Sequence, residues 1–144
     1  MPVVVNHAAV SAAAAMDLVN WSIAHARTNG WTVCAAVCDT GGHLVAFHRM
    51  DGVNVPPIEF AIDKAYTAAT MRRATAALFA RTEAKPPLRL GLANRKRLLV
   101  FPGGLPILHE GQVVGGLGVS GASDDEDVAC AEAALSRLGS TQTG

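Results

Sequence analysis

Apolar residues recur every three or four positions in two stretches of the chain, which is the period of an amphipathic helix. The first stretch predicts a helix over residues 7–28, with Asn6 as its N-cap and Asn29-Gly30 as its end. The second predicts a helix over 56–71, because two prolines suit a first turn in which their missing N–H groups are not needed. One long helix is therefore expected before the first strands and another after them.

Runs of apolar and β-branched residues, separated by turn residues, predict five strands over residues 31–39, 43–50, 98–101, 104–109 and 112–120. Tight turns join the first pair and the last pair, so these strands are expected to be antiparallel neighbours. The last strand has glycines at positions 115, 116 and 118. Glycine weakens a strand unless a helix, a neighbouring subunit or a ligand packs closely on its backbone.

Shorter helices are predicted between the strands and at the end of the chain. They cover about 76–82, with Thr75 as a cap, 87–94, and 124–138. Strands and helices do not alternate one for one, so the order of elements favours an α+β fold with an antiparallel sheet over a doubly wound fold. No linker or repeat interrupts residues 1–144, which indicates a single domain.

Composition narrows the functional classes. Half of the 144 residues are hydrophobic, and 12 basic residues balance 12 acidic ones. The lack of a basic excess argues against nucleic acid, and the lack of a cationic amphipathic helix argues against a membrane surface. No segment approaches the roughly 18 apolar residues of a membrane helix, and no basic stretch precedes the apolar N-terminal region. We therefore expect a cytoplasmic protein, and a homo-oligomer because zero net charge leaves little repulsion between copies.

The cysteines, Cys34, Cys38 and Cys130, form neither an even set nor a C-x-x-C motif. This pattern does not predict a disulfide framework or a zinc site. Cys34 and Cys38 would lie about 13 Å apart on one strand, at ~3.3 Å per residue, which is too far for a disulfide. Buried free thiols are expected.

Four segments occur in the order and at the spacing of a known family. They are VCDTGGHLVAFHRMDG, AIDKAYTAATM, FPGGLPI and GQVVGGLGVSGASDDEDVACAEAAL. Together they resemble the GlcG/HbpS-like family, also found as the C-terminal domain of PduO-type proteins. The resemblance implies a profilin-like α+β fold with a five-stranded antiparallel sheet, in assemblies from dimers to octamers. It also implies haem binding or degradation, a corrinoid-related role or a step in small-molecule catabolism, and it assigns no haem ligand to any histidine of this chain.

The RMDG and K-A-x-T-A segments supply Arg49 and Asp51 at a strand end, and Lys64 and Thr67 on the following helix. Strand ends and helix faces often meet in a pocket. Arg49 would then bind a carboxylate or phosphate through two hydrogen bonds, and Lys64 would bind it as a point charge. The alternative is a structural ion pair, in which Asp51 pairs with Arg49 or Lys64 and fixes the loop.

Two other sets of side chains carry acid–base potential. Glu59 and Asp63 lie four residues apart on one predicted helix, so they can supply a general acid, bind a hard cation, or form a solvated face beside Arg72-Arg73. His48 is expected on the sheet face opposite to that of Arg49, as a packed or surface histidine or as an acid or base.

Exposed backbone N–H groups are expected at Gly103-Gly104 and Ser120-Gly121, where they would cradle an anion in a pocket that also includes Phe60. His109 and Glu110 occupy a predicted hairpin tip, where the histidine is either exposed or ligates a metal or haem together with a second subunit. The sequence contains no metal-binding motif, so no metal site is predicted.

These observations leave three functions open. The preferred one is a homo-oligomer that binds a small anionic ligand near Arg49, Lys64 and Gly103-Gly104, with haem or a related tetrapyrrole implied by the resemblance. The second is a small catabolic enzyme with acid–base, hydrolytic or tautomerase chemistry on an organic acid. In that enzyme Arg49 and Lys64 would orient the substrate, and the proton would be moved by one of three residues: His48, Asp51 and Glu59. The third is a non-catalytic accessory or scaffold subunit.

Overall fold

The computed structural model describes the backbone of residues 1–143 and the side chains of residues 1–140. In this part of the chain one antiparallel sheet has four strands, β1 (Cys34–Asp39), β2 (Leu44–Arg49), β3 (Gly104–His109) and β4 (Gln112–Ser120). The accompanying helices are α1 (Ala12–Thr28), α2 (Pro56–Met71), α3 (Thr75–Glu83), α4 (Pro86–Ala93) and α5 (Asp124–Thr143). None of these helices is long and apolar enough to cross a membrane. The strand order is β2-β1-β4-β3, so β2 and β3 form the two edges.

Helices cover both faces of the sheet. On one face, Ala35 and Val37 of β1 join a core built with α1 and α5. On the other face, Cys34, Ala36 and Cys38 pack against α2. This alternation follows from strand geometry, which turns successive side chains to opposite faces. β1 is buried on both faces, as its continuous apolar sequence predicts.

Glycines of β4 allow α2 to lie directly on the sheet. A Cβ atom on Gly116 would fall on the Ala65 carbonyl oxygen, and one on Gly118 would fall on the Ala61 carbonyl oxygen. The prediction that these glycines admit a close neighbour is therefore confirmed, and the neighbour is the backbone of α2.

The α+β class is confirmed, but the prediction of five strands is wrong. Residues 98–101 do not pair with the sheet. The Leu99 N–H donates a hydrogen bond to the Thr67 hydroxyl and not to a neighbouring strand. The half-buried side chains of Leu98 and Val100 line a cleft. The outer edge of β3 consequently has no strand partner within residues 1–143.

The start of α1 also differs from the prediction. The helix begins at Ala12 rather than near residue 7, and its cap is the Ser11 side chain rather than Asn6. Val10 instead donates its N–H to the Val114 carbonyl, which holds the segment before the helix against β4.

The three thiols, Cys34, Cys38 and Cys130, are free and buried, as predicted. Burial raises the pKa of each thiol to about 11, because the thiolate loses the solvation it would have in water. These side chains therefore act as small apolar core residues at neutral pH.

Candidate ligand site

Lys64 and Asp127 form a buried ion pair between α2 and α5. The Lys64 Nζ donates to the Asp127 Oδ2 at 3.1 Å and to the Val119 carbonyl at 2.8 Å. The other Asp127 oxygen accepts the Ala122 N–H at 3.0 Å. Each charged group therefore has hydrogen-bond partners inside the protein, as a buried charge requires.

Burial affects the proton affinity of both partners. It lowers the pKa of the Lys64 ammonium, and the nearby charge of Asp127 opposes this shift. It raises the pKa of the Asp127 carboxyl, and the charge of Lys64 opposes that shift. The partner of Lys64 is therefore Asp127 and not Asp51, and the ammonium points to internal acceptors rather than to a ligand.

The Gly103-Gly104 turn closes over this ion pair. Gly103 has φ +124°, and a Cβ atom there would lie 2.9 Å from the Lys64 Nζ. The Gly104 N–H donates to the Thr75 hydroxyl, which in turn donates to the Phe101 carbonyl. Thr75 thus fastens this turn and does not cap α3 as predicted. Both glycines are buried, so the turn packs on Lys64 and does not present an anion cradle to solvent.

Thr67 positions the segment that follows α4. Its hydroxyl donates to the Arg97 carbonyl at 3.0 Å and accepts the Leu99 N–H at 2.9 Å. The Arg97 guanidinium then lies over the Tyr66 ring, 3.8 Å from its centroid. The buried Thr67 side chain therefore holds residues 97–99 in place rather than a ligand.

Arg49 lies on the edge strand opposite to the one that carries Gly104. It pairs with Cys34 on β1, and Cys34 pairs with Ser120 on β4, so these three residues form one row across the sheet. Arg49 is exposed, whereas Ser120 is buried. Because β1 and β4 separate β2 from β3, the structure does not bring Arg49 and the Gly103-Gly104 turn into one pocket.

The neighbours of Arg49 in its motif point elsewhere. His48 faces α1, and its Nδ1 lies 3.3 Å from the Asn20 Oδ1, which confirms the predicted opposite orientation. Asp51 is exposed in the turn after β2 and belongs to no ion pair of residues 1–140. The acid–base candidates of this motif therefore do not converge on one point.

Glu59 and Asp63 line a groove of about 420 Å³ on the outer side of α2, together with Ile62, Lys96 and Arg97. The Arg97 Nε lies 3.8 Å from the Asp63 carboxylate. Burial raises the pKa of Asp63, Arg97 opposes this shift, and the charge of Glu59 adds to it. The cations beside this carboxylate pair come from the segment after α4, and not from the end of α2 as one prediction had it.

A larger cavity, of about 500 Å³, lies between α3, α4 and residues 98–100. Its apolar walls consist of Phe79, Leu92, Ala93, Leu98, Leu99 and Val100. The polar residues of the lining are Thr82 and Arg89. The Thr82 hydroxyl donates to the Phe79 carbonyl, which leaves the Arg89 guanidinium as the group of this lining that can bind an anion.

α4 forms the loosely held wall of this cleft. None of its residues is buried, and among the described elements it contacts only α3. Leu90 on this helix is largely exposed. Helices with so little buried surface typically open at low free-energy cost.

The cleft lies in the most basic part of the chain. Residues 72–97 contain eight of the twelve Lys and Arg residues, namely Arg72, Arg73, Arg81, Lys85, Arg89, Arg95, Lys96 and Arg97. The same stretch contains one carboxylate, Glu83, whereas the rest of the chain carries eleven. The zero net charge therefore conceals a cationic segment of the chain, from which Arg89 lines the cleft while Lys96 and Arg97 line the groove beside Asp63.

Histidine and carboxylate side chains do not assemble into a metal site in the described part of the chain, where no group of three or more His, Cys, Asp or Glu residues is placed to hold an ion. At the tip between β3 and β4, the His109 Nε2 lies 3.8 Å from the Glu110 carboxylate, and both side chains are exposed.

Sequence reasoning missed two features, namely Asp127 as the buried partner of Lys64 and the cleft between α3 and α4. Asp127 is one of four consecutive carboxylates over 124–127, and a helix N-terminus explains all four without a buried partner. The sequence does indicate the region of the cleft. If charge is counted by segment rather than over the whole chain, the cations cluster over residues 72–97.

A family model described as "Haem degrading protein HbpS-like" matches residues 10–136. A protein of Citrobacter freundii, an uncharacterized 15.0 kDa protein in the dhaT-dhaS intergenic region, is 35% identical over 132 residues. That alignment covers 89% of this chain and 91% of the relative. The similarity therefore extends over nearly the whole of both chains.

Two solved structures share the fold. Klebsiella pneumoniae protein ORFY, a DUF336 protein, has a TM-score of 0.88 at 28% identity, over 96% of this chain and 97% of its own. The complex of PduOC with haem has a TM-score of 0.79 at 27% identity, over 89% of this chain and 94% of its own. The arrangement of helices around the sheet is thus common to proteins of this kind.

Proposed function

This chain belongs to the HbpS-like family, and on that premise we propose that it binds haem or a related tetrapyrrole in the cleft between α3 and α4. The family model spans residues 10–136, and a protein of the same fold has been solved with haem. Because a fold hosts many functions, the location of the ligand has to be argued from the chemistry of the cavity.

The observation that carries the proposal is an apolar cleft with one cation, Arg89, in its lining. A tetrapyrrole has a large apolar ring with carboxylates at its edge. The Phe79, Leu92 and Leu99 side chains would bury the ring, and Arg89 would bind a carboxylate through two N–H groups. The volume of about 500 Å³ lies in the range of ligand pockets, and we expect the weakly packed α4 to move outward on binding.

The cleft suits the ring and the carboxylates of haem better than its iron. The residues that line it include no imidazole and no sulfur ligand. We therefore propose binding through the ring and the carboxylates, and we assign no iron chemistry to the lining residues.

A haem titration followed by absorbance tests this proposal. We expect a saturable shift of the Soret band, and an affinity at least about tenfold weaker in Arg89→Ala, because a charge-assisted hydrogen bond contributes roughly 1.5–3 kcal/mol. Arg27→Ala is the matched control, since it removes one cation from the last turn of α1, away from the cleft. Equal affinities in the two variants would count against the cleft.

A second candidate keeps the anion site predicted at the end of β2. A smaller organic acid would bind Arg49 at the end of β2, with Gly121 and the first turns of α2, which carry Glu59 and Phe60, as the further predicted parts of that site. In favour of this site, Arg49 is exposed and takes part in no ion pair of the described side chains. Lys64 forms its ion pair with Asp127, so it is not part of this second site.

This second site would serve the small catabolic enzyme considered from the sequence. An organic acid that raises the melting temperature of the wild type, but not of Arg49→Ala, would support it. If neither haem nor organic acids bind, the accessory or scaffold role is the remaining function.

The proposal includes a cytoplasmic homo-oligomer. Buried free thiols agree with a reducing compartment. Mass measurement by light scattering tests the assembly, and fractionation of the producing cells tests the compartment.

A further inference from the structure

The groove on the outer side of α2 combines two carboxylates with two cations. Glu59 and Asp63 lie four residues apart on α2, so their carboxylates are neighbours on one side of that helix. Lys96 and Arg97 line the same groove from the segment that follows α4. Ile62 adds an apolar surface to the lining. The groove, of about 420 Å³, therefore presents two charges of each sign beside an apolar contact.

Arg97 is fixed in this groove by contacts that do not use its hydrogen-bond donors. Its guanidinium lies over the Tyr66 ring, 3.8 Å from the centroid, and its carbonyl accepts the Thr67 hydroxyl. Its Nε lies 3.8 Å from the Asp63 carboxylate, which is beyond hydrogen-bond distance. Within residues 1–140 the guanidinium donates no hydrogen bond and the Asp63 carboxylate accepts none. This ion pair is therefore loose, and its donors and acceptors are available to a third molecule.

The other charges of the groove are also uncompensated. Glu59 and Lys96 are exposed and belong to no ion pair of the side chains described. Burial raises the pKa of Asp63, Arg97 opposes this shift, and the charge of Glu59 adds to it. Arg97 therefore does not fully offset the lost solvation of Asp63 and its repulsion from Glu59. A further positive charge beside the two carboxylates would stabilise them.

We propose that this groove binds a free α-amino acid with an apolar side chain. The ammonium group of the ligand would donate to the Glu59 and Asp63 carboxylates. Its carboxylate would accept hydrogen bonds from the Lys96 ammonium and the Arg97 guanidinium. Its side chain would pack on Ile62. Each charge of the ligand then meets the opposite charge of the groove, and all four charged residues are compensated together.

A ligand with a single sign of charge suits the groove less well. An anion would be attracted by Lys96 and Arg97 but repelled by Glu59 and Asp63, and a cation would meet the reverse. In the described part of the chain no group of three or more His, Cys, Asp or Glu residues is placed to hold a metal ion. The groove shares no lining residue with the cleft between α3 and α4, so the amino-acid site is independent of the tetrapyrrole proposal.

Calorimetric titration with L-leucine and two of its analogues tests the site. Isocaproate lacks the ammonium group of leucine, and isoamylamine lacks its carboxylate. We expect saturable binding of leucine, and a Kd at least about tenfold higher for each analogue, because each loses charge-assisted hydrogen bonds. Glu59→Gln and Lys96→Gln should each weaken leucine binding at least about tenfold for the same reason. Both side chains are exposed, so these replacements should leave the melting temperature unchanged.

Glu132→Gln and Lys85→Gln are the matched controls, because each removes the same charge from an exposed side chain outside the lining of the groove. Both should bind leucine with wild-type affinity. The amino-acid site would be overturned by a wild type that does not bind leucine, or by an analogue that binds as tightly as leucine. Wild-type affinity in Glu59→Gln and Lys96→Gln, or equal weakening in these variants and the controls, would overturn it as well.

Discussion

The Lys64 ammonium donates a 3.1 Å hydrogen bond to the Asp127 carboxylate in the protein interior, and this contact joins two helices that cover opposite faces of the sheet. The Val119 carbonyl and the Ala122 N–H complete the hydrogen bonding of the pair, and Gly103 packs over it. Both side chains are almost completely buried. The pair therefore closes the end of β4 against both helix layers, and it belongs to the framework rather than to the ligand site.

Removal of one partner should be more damaging than removal of both. Lys64→Met leaves the Asp127 carboxylate buried without its counter-charge, which typically destabilises a protein by about 3–5 kcal/mol. The double variant Lys64→Met/Asp127→Leu replaces both charges by apolar groups and should lose less free energy of unfolding than the single variant. Urea unfolding of the three proteins measures the difference. A double variant less stable than Lys64→Met would contradict this account.

Gly118→Ala should destabilise the fold through the contact between β4 and α2. The added Cβ would fall on the Ala61 carbonyl oxygen, so the helix must shift, and overpacking of this kind costs about 1–3 kcal/mol. Gly91→Ala is the matched control, since nothing lies within 4 Å of its added Cβ, and alanine favours the helix that contains it. Thermal unfolding should show a lower melting temperature for the first variant and an equal or higher one for the second.

Thr67→Val should loosen residues 97–99. The change leaves the part-buried Leu99 N–H and the Arg97 carbonyl without their partner, at a cost of about 1–3 kcal/mol. Thr67→Ser keeps the hydroxyl and should retain most of the stability. Hydrogen exchange at the Leu99 amide measures the effect locally. Exchange that is equally slow in Thr67→Val and in the wild type would show that the Thr67 hydrogen bonds do not hold this segment.

The buried thiols should make stability fall at alkaline pH. Burial raises their pKa from 9.0 to about 11, so between these values the folded chain keeps protons that the unfolded chain has lost. Stability from this source is therefore complete below pH 9 and is lost as the pH rises toward 11. Urea midpoints at pH 8 and pH 10.5 test the sign, and a triple cysteine-to-alanine variant should show a smaller decrease. An identical decrease in that variant would assign the effect to other groups.

Much of the fold could be predicted because its signals are local. The bounds of α2, β3 and β4 agree with the sequence prediction, since Pro56-Pro57 starts the helix and short turns delimit the strands. The close approach of α2 to Gly116 and Gly118 could likewise be expected, because glycine inside a strand indicates a close neighbour. The prediction of a strand over 98–101 was wrong because this segment has the apolar composition of a strand, whereas the Leu99 N–H donates to the distant Thr67 hydroxyl.

The site was harder to predict because its contacts join residues far apart in the chain. Lys64 was predicted to bind a ligand or orient a substrate, but 63 positions separate it from its buried partner Asp127, and no local pattern distinguishes that carboxylate from its three acidic neighbours. Arg49 and Lys64 share a family motif set, yet the strand order places Arg49 on the edge opposite to the turn that covers Lys64. The tertiary fold therefore determines that Arg49 is exposed whereas Lys64 is buried in an ion pair.

Ala93→Trp tests the central claim most directly, because this exposed residue lines the cleft between α3 and α4 and a large ring there would fill the space assigned to the tetrapyrrole. The measurement is the haem dissociation constant of Ala93→Trp beside that of the wild type, in protein checked for an unchanged melting temperature. The cleft assignment predicts an affinity at least about tenfold weaker, since the ring would lose its apolar contacts. Haem binding of wild-type affinity in Ala93→Trp would contradict it and place the ligand elsewhere on the chain.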